Sequence, residues 1–277
     1  MNTFNYNLFN TSLHATSNNL DHFKLLKSVY ERNLFKSENK KLLYKLINLT
    51  KDKNNLIKSQ LYQDIFAVLM VGNNYDKTFL EFGATDGLEL SNTYLLENNC
   101  GWTGVLCEPS PQWHDILKKN RPNTRIVTEC IWNKSNQKLR FFVSDVGVLS
   151  TLEEFKESDK LSIPGNTKLR IEKGNLVTVN TISLNELIEK EFNGKSPSYI
   201  SIDTEGSEYE ILKAFDFKKY DPVCFTIEHN FTNLQKDIDE IMKNHNYIRI
   251  FKEITVFDAW YVRNDVLNEL QKDTSND

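Results

Sequence analysis

Residues 78–87, Thr-Phe-Leu-Glu-Phe-Gly-Ala-Thr-Asp-Gly, constrain this chain more than any other stretch. Thr78 to Phe82 read as a short apolar strand. Gly83 and Gly87 then bracket a turn, and a helical pattern opens near Glu89. Glycine takes left-handed backbone angles that a side chain opposes, and it lets a ligand approach the main chain. The free N–H groups of a helix start favour an anionic group such as a carboxylate or phosphate. Strand, glycine turn and helix together predict a nucleotide-type cradle. A tight turn with no ligand satisfies the same ten residues, so the other strand ends must decide.

The remaining sequence is predicted to alternate strand and helix around this point. Before it, apolar residues recur at helical spacing over 20–30, 38–49 and 59–71, with Ser37 a candidate cap and Gly72 a stop. This predicts a helical extension over residues 1–74, acting as a cap or a dimerisation surface, ahead of a main domain over 75–277. Within the main domain, helices are predicted at 89–98, 111–120, 184–191, 207–215 and 234–244. Strands are predicted at 103–107, 125–128, 199–202 and 223–227. A β-rich insertion spans about 138–181, in which 139–143 alternates with 176–180 around a polar loop. Two closing strands, 247–251 and 256–262, read as an antiparallel hairpin, followed by a polar tail from Lys272. The order predicts an α/β fold with a mostly parallel sheet and helices on both faces.

Composition narrows the function. A formal net charge of −4 argues against a nucleic-acid partner. No apolar run approaches the ~20 residues of a membrane helix. The polar N-terminus lacks a signal-peptide pattern, so a cytoplasmic location is expected. Cys100, Cys107, Cys130 and Cys224 have no metal-like spacing and are expected as reduced, mostly buried thiols.

In open α/β sheets the ligand lies outside the carboxyl ends of the strands. Here those ends carry the glycine turn, Glu108-Pro109, Glu129-Cys130, Asp203-Thr204-Glu205-Gly206 and Glu228-His229-Asn230. Glu108 follows the glycines by about 20 residues, where a carboxylate holds ribose hydroxyls. NAD-binding and S-adenosylmethionine (SAM)-binding sheets share that feature. The glycine spacing departs from the dinucleotide fingerprint G-x-G-x-x-G.

Taken together, Phe79 to Gly87, Ser91-Asn-Thr-Tyr94, Gly101-Trp-Thr-Gly104 with Glu108-Pro109, Tyr199-Ile-Ser-Ile-Asp-Thr-Glu-Gly-Ser-Glu208 and Ile227-Glu-His-Asn230 resemble the FkbM family of SAM-dependent methyltransferases. The resemblance covers about 78–263 and implies a class I methyltransferase Rossmann-like fold. It also implies O-methylation of a small hydroxyl acceptor, such as a sugar or other polyhydroxy metabolite. Many members carry Lys where this chain has Ser201, so no role of that lysine transfers. The resemblance implies that Glu81, Gly83, Ala84 and Gly87 line the methionine half of SAM, with Thr85 and Asp86 in the same turn and Ser91 and Asn92 beside it. Glu108 and Pro109 would meet the ribose, Cys130 and Ile131 the adenine, and Asp203 the amino group and reacting methyl. Asp86 fits a plain turn residue equally well, and Ser91 and Asn92 fit a helix cap. The acceptor's proton needs a base, for which Asp203, Glu228 and His229 are candidates. Alternatively Asp203, Glu228 and Asn230 supply oxygen ligands for Mg²⁺. An NAD-dependent oxidoreductase and a non-catalytic interaction protein are the competing classes, and the N-terminal helices leave a homo-oligomer open.

Overall fold

The computed structural model describes residues 24, 26–28, 37–53, 56–172 and 174–273. Its strands in chain order are β1 (Thr78–Phe82), β2 (Thr103–Cys107), β3 (Arg125–Val127), β4 (Cys130–Trp132), β5 (Lys138–Ser144), β6 (Thr151–Leu152), β7 (Gly174–Ser183), β8 (Tyr199–Ile202), β9 (Cys224–Glu228), β10 (Tyr247–Ile250) and β11 (Asp258–Arg263). The longer helices are α1 (Ser37–Lys53), α2 (Gln63–Val71), α3 (Tyr94–Cys100), α4 (His114–Asn120), α5 (Pro164–Glu172), α6 (Leu184–Glu191), α7 (Glu208–Lys213), α8 (Leu234–Asn244) and α9 (Asn264–Asp273).

Seven strands form the main sheet in the order β10-β11-β9-β8-β1-β2-β3. All neighbours from β9 to β3 run parallel, and β11 is antiparallel to both β9 and β10. The order reverses between β1 and β8, which puts a ligand crevice at their carboxyl ends. Strand alternation divides the buried residues between two cores. Phe79, Tyr199, Cys224 and Trp260 join one cluster with Leu42, Leu46, Ile65 and Phe66. Leu80, Phe82, Ile200, Ile202 and Phe225 join the other with Leu187, Leu212 and Ile238. Helices α1, α2, α3 and α9 therefore cover one face, and α6, α7 and α8 the other. Stacking of Phe66 on Trp260, centroids 4.8 Å apart, fixes α2 against β11.

The insertion is its own four-stranded sheet, order β4-β7-β5-β6. Its antiparallel pairing sets Leu139 opposite Val179 and Phe141 opposite Val177. Cys130, Trp132, Phe141, Leu152 and Val179 make its small core. The expected polar loop holds β6 and α5 as well as turns. All four cysteines are free thiols, three of them buried.

Several boundaries differ from the sequence expectation. The helix expected at Glu89 starts at Tyr94, because side chains take the intervening N–H groups first: Asp86 accepts from Leu88 and Glu89 at 2.8 and 2.9 Å, and Glu81 from Asn92 at 2.7 Å. The helix expected at Ser59 starts at Gln63, since Ser59 bridges to Leu90 and Tyr62 is left-handed. The helix expected over 38–49 continues as α1 to Lys53. Helix α9 has no counterpart in the sequence expectation; Val266 and Leu267 are buried within the first core and Leu270 packs against it. The 20–30 segment falls mostly outside the described residues, of which Lys24 and residues 26–28 are helical. No described helix is long and apolar enough to cross a membrane.

Candidate active site

One cavity opens at the carboxyl ends of β1, β2, β8 and β9 and is roofed by the insertion. Of the turn residues singled out above, Glu81, Gly83, Ala84 and Thr85 line it, as do Ser91, Asn92, Glu108, Pro109, Cys130, Ile131, Asp203 and Glu228. Gly83 is left-handed, and a Cβ there would collide with the backbone oxygen of Asp203. β1 and β8 thus close to a distance that only glycine tolerates. The Gly83 and Ala84 N–H groups donate back to Cys107 O at 3.1 and 3.3 Å, drawing the turn over the end of β2.

Glu81 does not stand free in the cavity. Its carboxylate accepts from the Ser91 hydroxyl (3.1 Å), the Asn92 N–H (2.7 Å) and the Thr93 hydroxyl. Burial raises its pKa, and Arg121 opposes the rise. The anion that the start of α3 favours is therefore supplied by the protein itself. Ser91 acts as a cap, its Oγ accepting from Thr93 and Tyr94. Asn92 donates to Ser201 Oγ at 2.9 Å, while its Oδ1 is buried without a partner. Asp86 is a turn residue, and neither it nor Gly87 reaches the cavity. Gly87 instead packs under Leu117 and Arg121.

Glu108 is almost wholly buried. Oε2 accepts from the Thr85 N–H at 2.8 Å and Oε1 from the Ser110 N–H at 2.7 Å. Each oxygen keeps a further lone pair for a ligand hydroxyl. Burial pushes its pKa up to about 7 against those two bonds.

Asp203, Glu205 and Glu228 each bring a carboxylate oxygen within 4.8 Å of the others. Asp203 and Glu228 face each other within this group, and the Asp203 charge adds to the burial that raises Glu228. Burial pushes Asp203 up to about 7 and raises Glu228 well above the ordinary carboxylate range. Burial also raises Glu205, and Arg170 from α5 opposes this with a 2.8 Å ion pair. Glu208 caps the neighbouring loop, accepting from the N–H groups of Thr204 and Gly206.

His229 and Asn230 are not brought into the cavity. His229 Nδ1 accepts the Phe231 N–H at 3.0 Å, which leaves the ring proton on Nε2, 3.1 Å from Asp258 O. Burial, with Arg249 nearby, pushes its pKa down to about 4. A ring so engaged has no nitrogen free to take an acceptor's proton. Asn230 turns its amide nitrogen to Glu228 at 2.7 Å, presenting N–H groups to the carboxylates where a metal would need oxygen. The expected Asp203–Glu228–Asn230 ligand set is therefore replaced by a cluster of three acids. Gln60 has no signal in the sequence, whereas Glu205, behind Asp203 as a further candidate base, and Ser150 of the insertion, a candidate acceptor contact, both line the cavity. Glu205 is marked by the motif after β8, while no pattern singles out the other lining residues of the insertion.

The donor set suits SAM, which carries a sulfonium and an ammonium. Six carboxylates line the cavity and no lysine, arginine or histidine does so among the described residues. The orphaned Asn92 Oδ1 is a further acceptor in need of a donor.

A reversing parallel sheet with an antiparallel seventh strand is the class I methyltransferase fold. A model of the methyltransferase FkbM domain matches residues 81–249, more than half the chain, and the chain belongs to this family of SAM-dependent methyltransferases. Among solved structures, a precorrin-6y C5,15-methyltransferase from Geobacter metallireducens GS-15 is 12% identical with a TM-score of 0.39, over 70% of this chain and 75% of that one. A putative caffeoyl-CoA O-methyltransferase from Staphylococcus aureus is 12% identical with a TM-score of 0.41, over 88% of this chain and 99% of that one. No curated protein matches.

Proposed function

We propose that this protein methylates a hydroxyl of a sugar or other small polyhydroxy metabolite, and that the cavity described above is the site of transfer. SAM supplies an activated methyl group when bound, so the protein's task is orientation, proton removal and exclusion of water. Glu108 holds the ribose hydroxyls through its free lone pairs. The Gly83–Thr85 backbone, Asn92 Oδ1 and Asp203 border the methionine half, and Cys130 and Ile131 border the adenine. Glu81 is a positioning residue that fixes the 91–93 segment. The Asp203–Glu228 pair takes the acceptor's proton as the hydroxyl oxygen attacks. A group that titrates near neutral pH suits that task. The observation that carries this reading is the close pair of buried carboxylates, Asp203 and Glu228, in the same cavity as Glu108.

Magnesium has no part in it. Asn230 directs N–H groups at Glu228, and Arg170 already neutralises Glu205. In the same reading, the helices α1 and α2 of the N-terminal extension cover one face of the sheet, as Leu42, Leu46, Ile65 and Phe66 support by joining the core of β1 and β11. The test is calorimetric titration with SAM, S-adenosylhomocysteine and NAD. Micromolar binding of the first two, with no heat from NAD, is expected. NAD binding in their place would refute the proposal.

A further inference from the structure

Methyl transfer at this cavity leaves the acceptor's chemistry open, and two features of the wall restrict it. The first is charge. Glu81, Glu89, Glu108, Asp203, Glu205 and Glu228 line the cavity, unopposed by any lining cation among the described residues. The nearby guanidinium of Arg170 is already saturated. Nε donates to Leu149 O at 2.7 Å, Nη1 to Lys156 O and Asp159 Oδ1 at 3.0 Å each, and Nη2 to Asp159 Oδ2 at 3.4 Å and Glu205 Oε2 at 2.8 Å. Those contacts use all five N–H groups of an arginine. A phosphate or carboxylate on the acceptor would find no free donor cation here and would add an anion to a wall whose buried acids already oppose one another's ionisation.

The second feature is the rim. Leu90, Val146, Val148 and Leu169 line the cavity yet stay 36–43% exposed. They are four of the ten large apolar side chains left exposed among the described residues, and three more, Leu161, Ile171 and Leu176, lie on the same insertion. Apolar exposure gathered at one mouth marks a contact surface, whereas scattered exposure would not. The nucleoside of the cofactor has its own apolar wall deeper in, at Pro109, Cys130 and Ile131, so the rim is left to the other ligand.

We propose that the acceptor carries no anionic group and joins its hydroxyl-bearing part to an apolar segment. The hydroxyl reaches Asp203 and Glu228, and the apolar segment lies on Leu90, Val146, Val148 and Leu169. Sugar nucleotides, phosphorylated sugars and coenzyme A esters are thereby excluded, and a neutral or ammonium-bearing glycoside with an aliphatic aglycone fits. This rests on the cavity being the methyl-transfer site.

The test needs no knowledge of the natural acceptor. Protein saturated with S-adenosylhomocysteine is titrated calorimetrically with methyl β-glucoside, with octyl β-glucoside below its micelle concentration, and with octyl β-glucoside 6-phosphate. Each buried methylene is worth about fourfold in affinity, so burial of two makes the octyl compound roughly fifteenfold tighter than the methyl one. The phosphate ester binds at least tenfold more weakly than its parent. Val148→Asp combined with Leu169→Asp abolishes the octyl advantage and leaves S-adenosylhomocysteine affinity within about threefold, which shows that the variant is folded. Equal affinity of the two glucosides, binding by neither, or a phosphate ester as tight as its parent overturns the inference alone. Failure of S-adenosylhomocysteine to bind removes the cofactor site, and this inference with it.

Discussion

Glu108→Gln isolates the ribose contact with the smallest change of shape. In the folded protein both oxygens of Glu108 already accept a backbone N–H, from Thr85 and from Ser110. The substitution turns one oxygen into an NH₂ that faces one of those donors. It also removes the charge behind any bond to a ribose hydroxyl. Two charge-assisted hydrogen bonds at about 1.5 kcal/mol each amount to about 3 kcal/mol, roughly a hundredfold in the dissociation constant of S-adenosylhomocysteine. Protonation has the same sense as the substitution. Burial holds Glu108 near pH 7, so wild-type affinity weakens as pH falls through that value. The variant loses this part of the pH response and keeps the part due to Asp203, which titrates in the same range. Calorimetry at pH 6, 7 and 8 at fixed ionic strength measures both effects. A dissociation constant within threefold of wild type at pH 8 would refute the ribose assignment, because a buried carboxylate bonded to a diol cannot be replaced so cheaply.

Three further outcomes follow from the geometry. Gly83→Ala places a Cβ against the Asp203 carbonyl at a left-handed position; the strain and collision together cost roughly 3 kcal/mol, read as a fall in melting temperature of about 6–12 °C. Asp64 lies apart from the cavity, its Oδ1 accepting from Ser59 and Ile65 while Oδ2 is buried unpaired, and burial lifts it from 3.8 to about 7. A carboxyl whose folded pKa is raised contributes its stability below the unfolded value and loses it as pH rises through the folded one. Asp64→Asn should therefore gain on wild type by about 3 kcal/mol between pH 5 and pH 8 in urea denaturation; a constant difference would show that Asp64 does not titrate there. His229→Gln breaks buried bonds to Phe231 and Asp258 and should lower stability by about 1–3 kcal/mol, with S-adenosylhomocysteine affinity within threefold; a tenfold loss of affinity would place the ring in the site after all.

What the sequence revealed and what it hid divide along a physical line. The parallel sheet, its closing hairpin and Glu108 at the end of β2 were all legible, because strand periodicity and the rule for strand ends depend only on position along the chain. The start of α3 was not, because Glu81 reaches ten residues forward to hold Ser91 and Asn92, a tertiary contact that no local propensity reports. The same limit applies to Arg170. Its partner Glu205 lies 35 residues on, and nothing in the insertion's pattern marks either one for the other. Glu228 and His229 show the distinction within a single step. In β9, Phe225 and Ile227 face the core of α6, α7 and α8, so alternation turns Thr226 and Glu228 to the opposite side. His229 follows the last strand residue, and its N–H donates to Phe257 O, which draws it toward the segment leading into β11. Neighbouring residues of equal chemical promise are thus separated by direction. A strand end identifies which residues come near the cavity, while the pairing of the next strand decides which of them enter it.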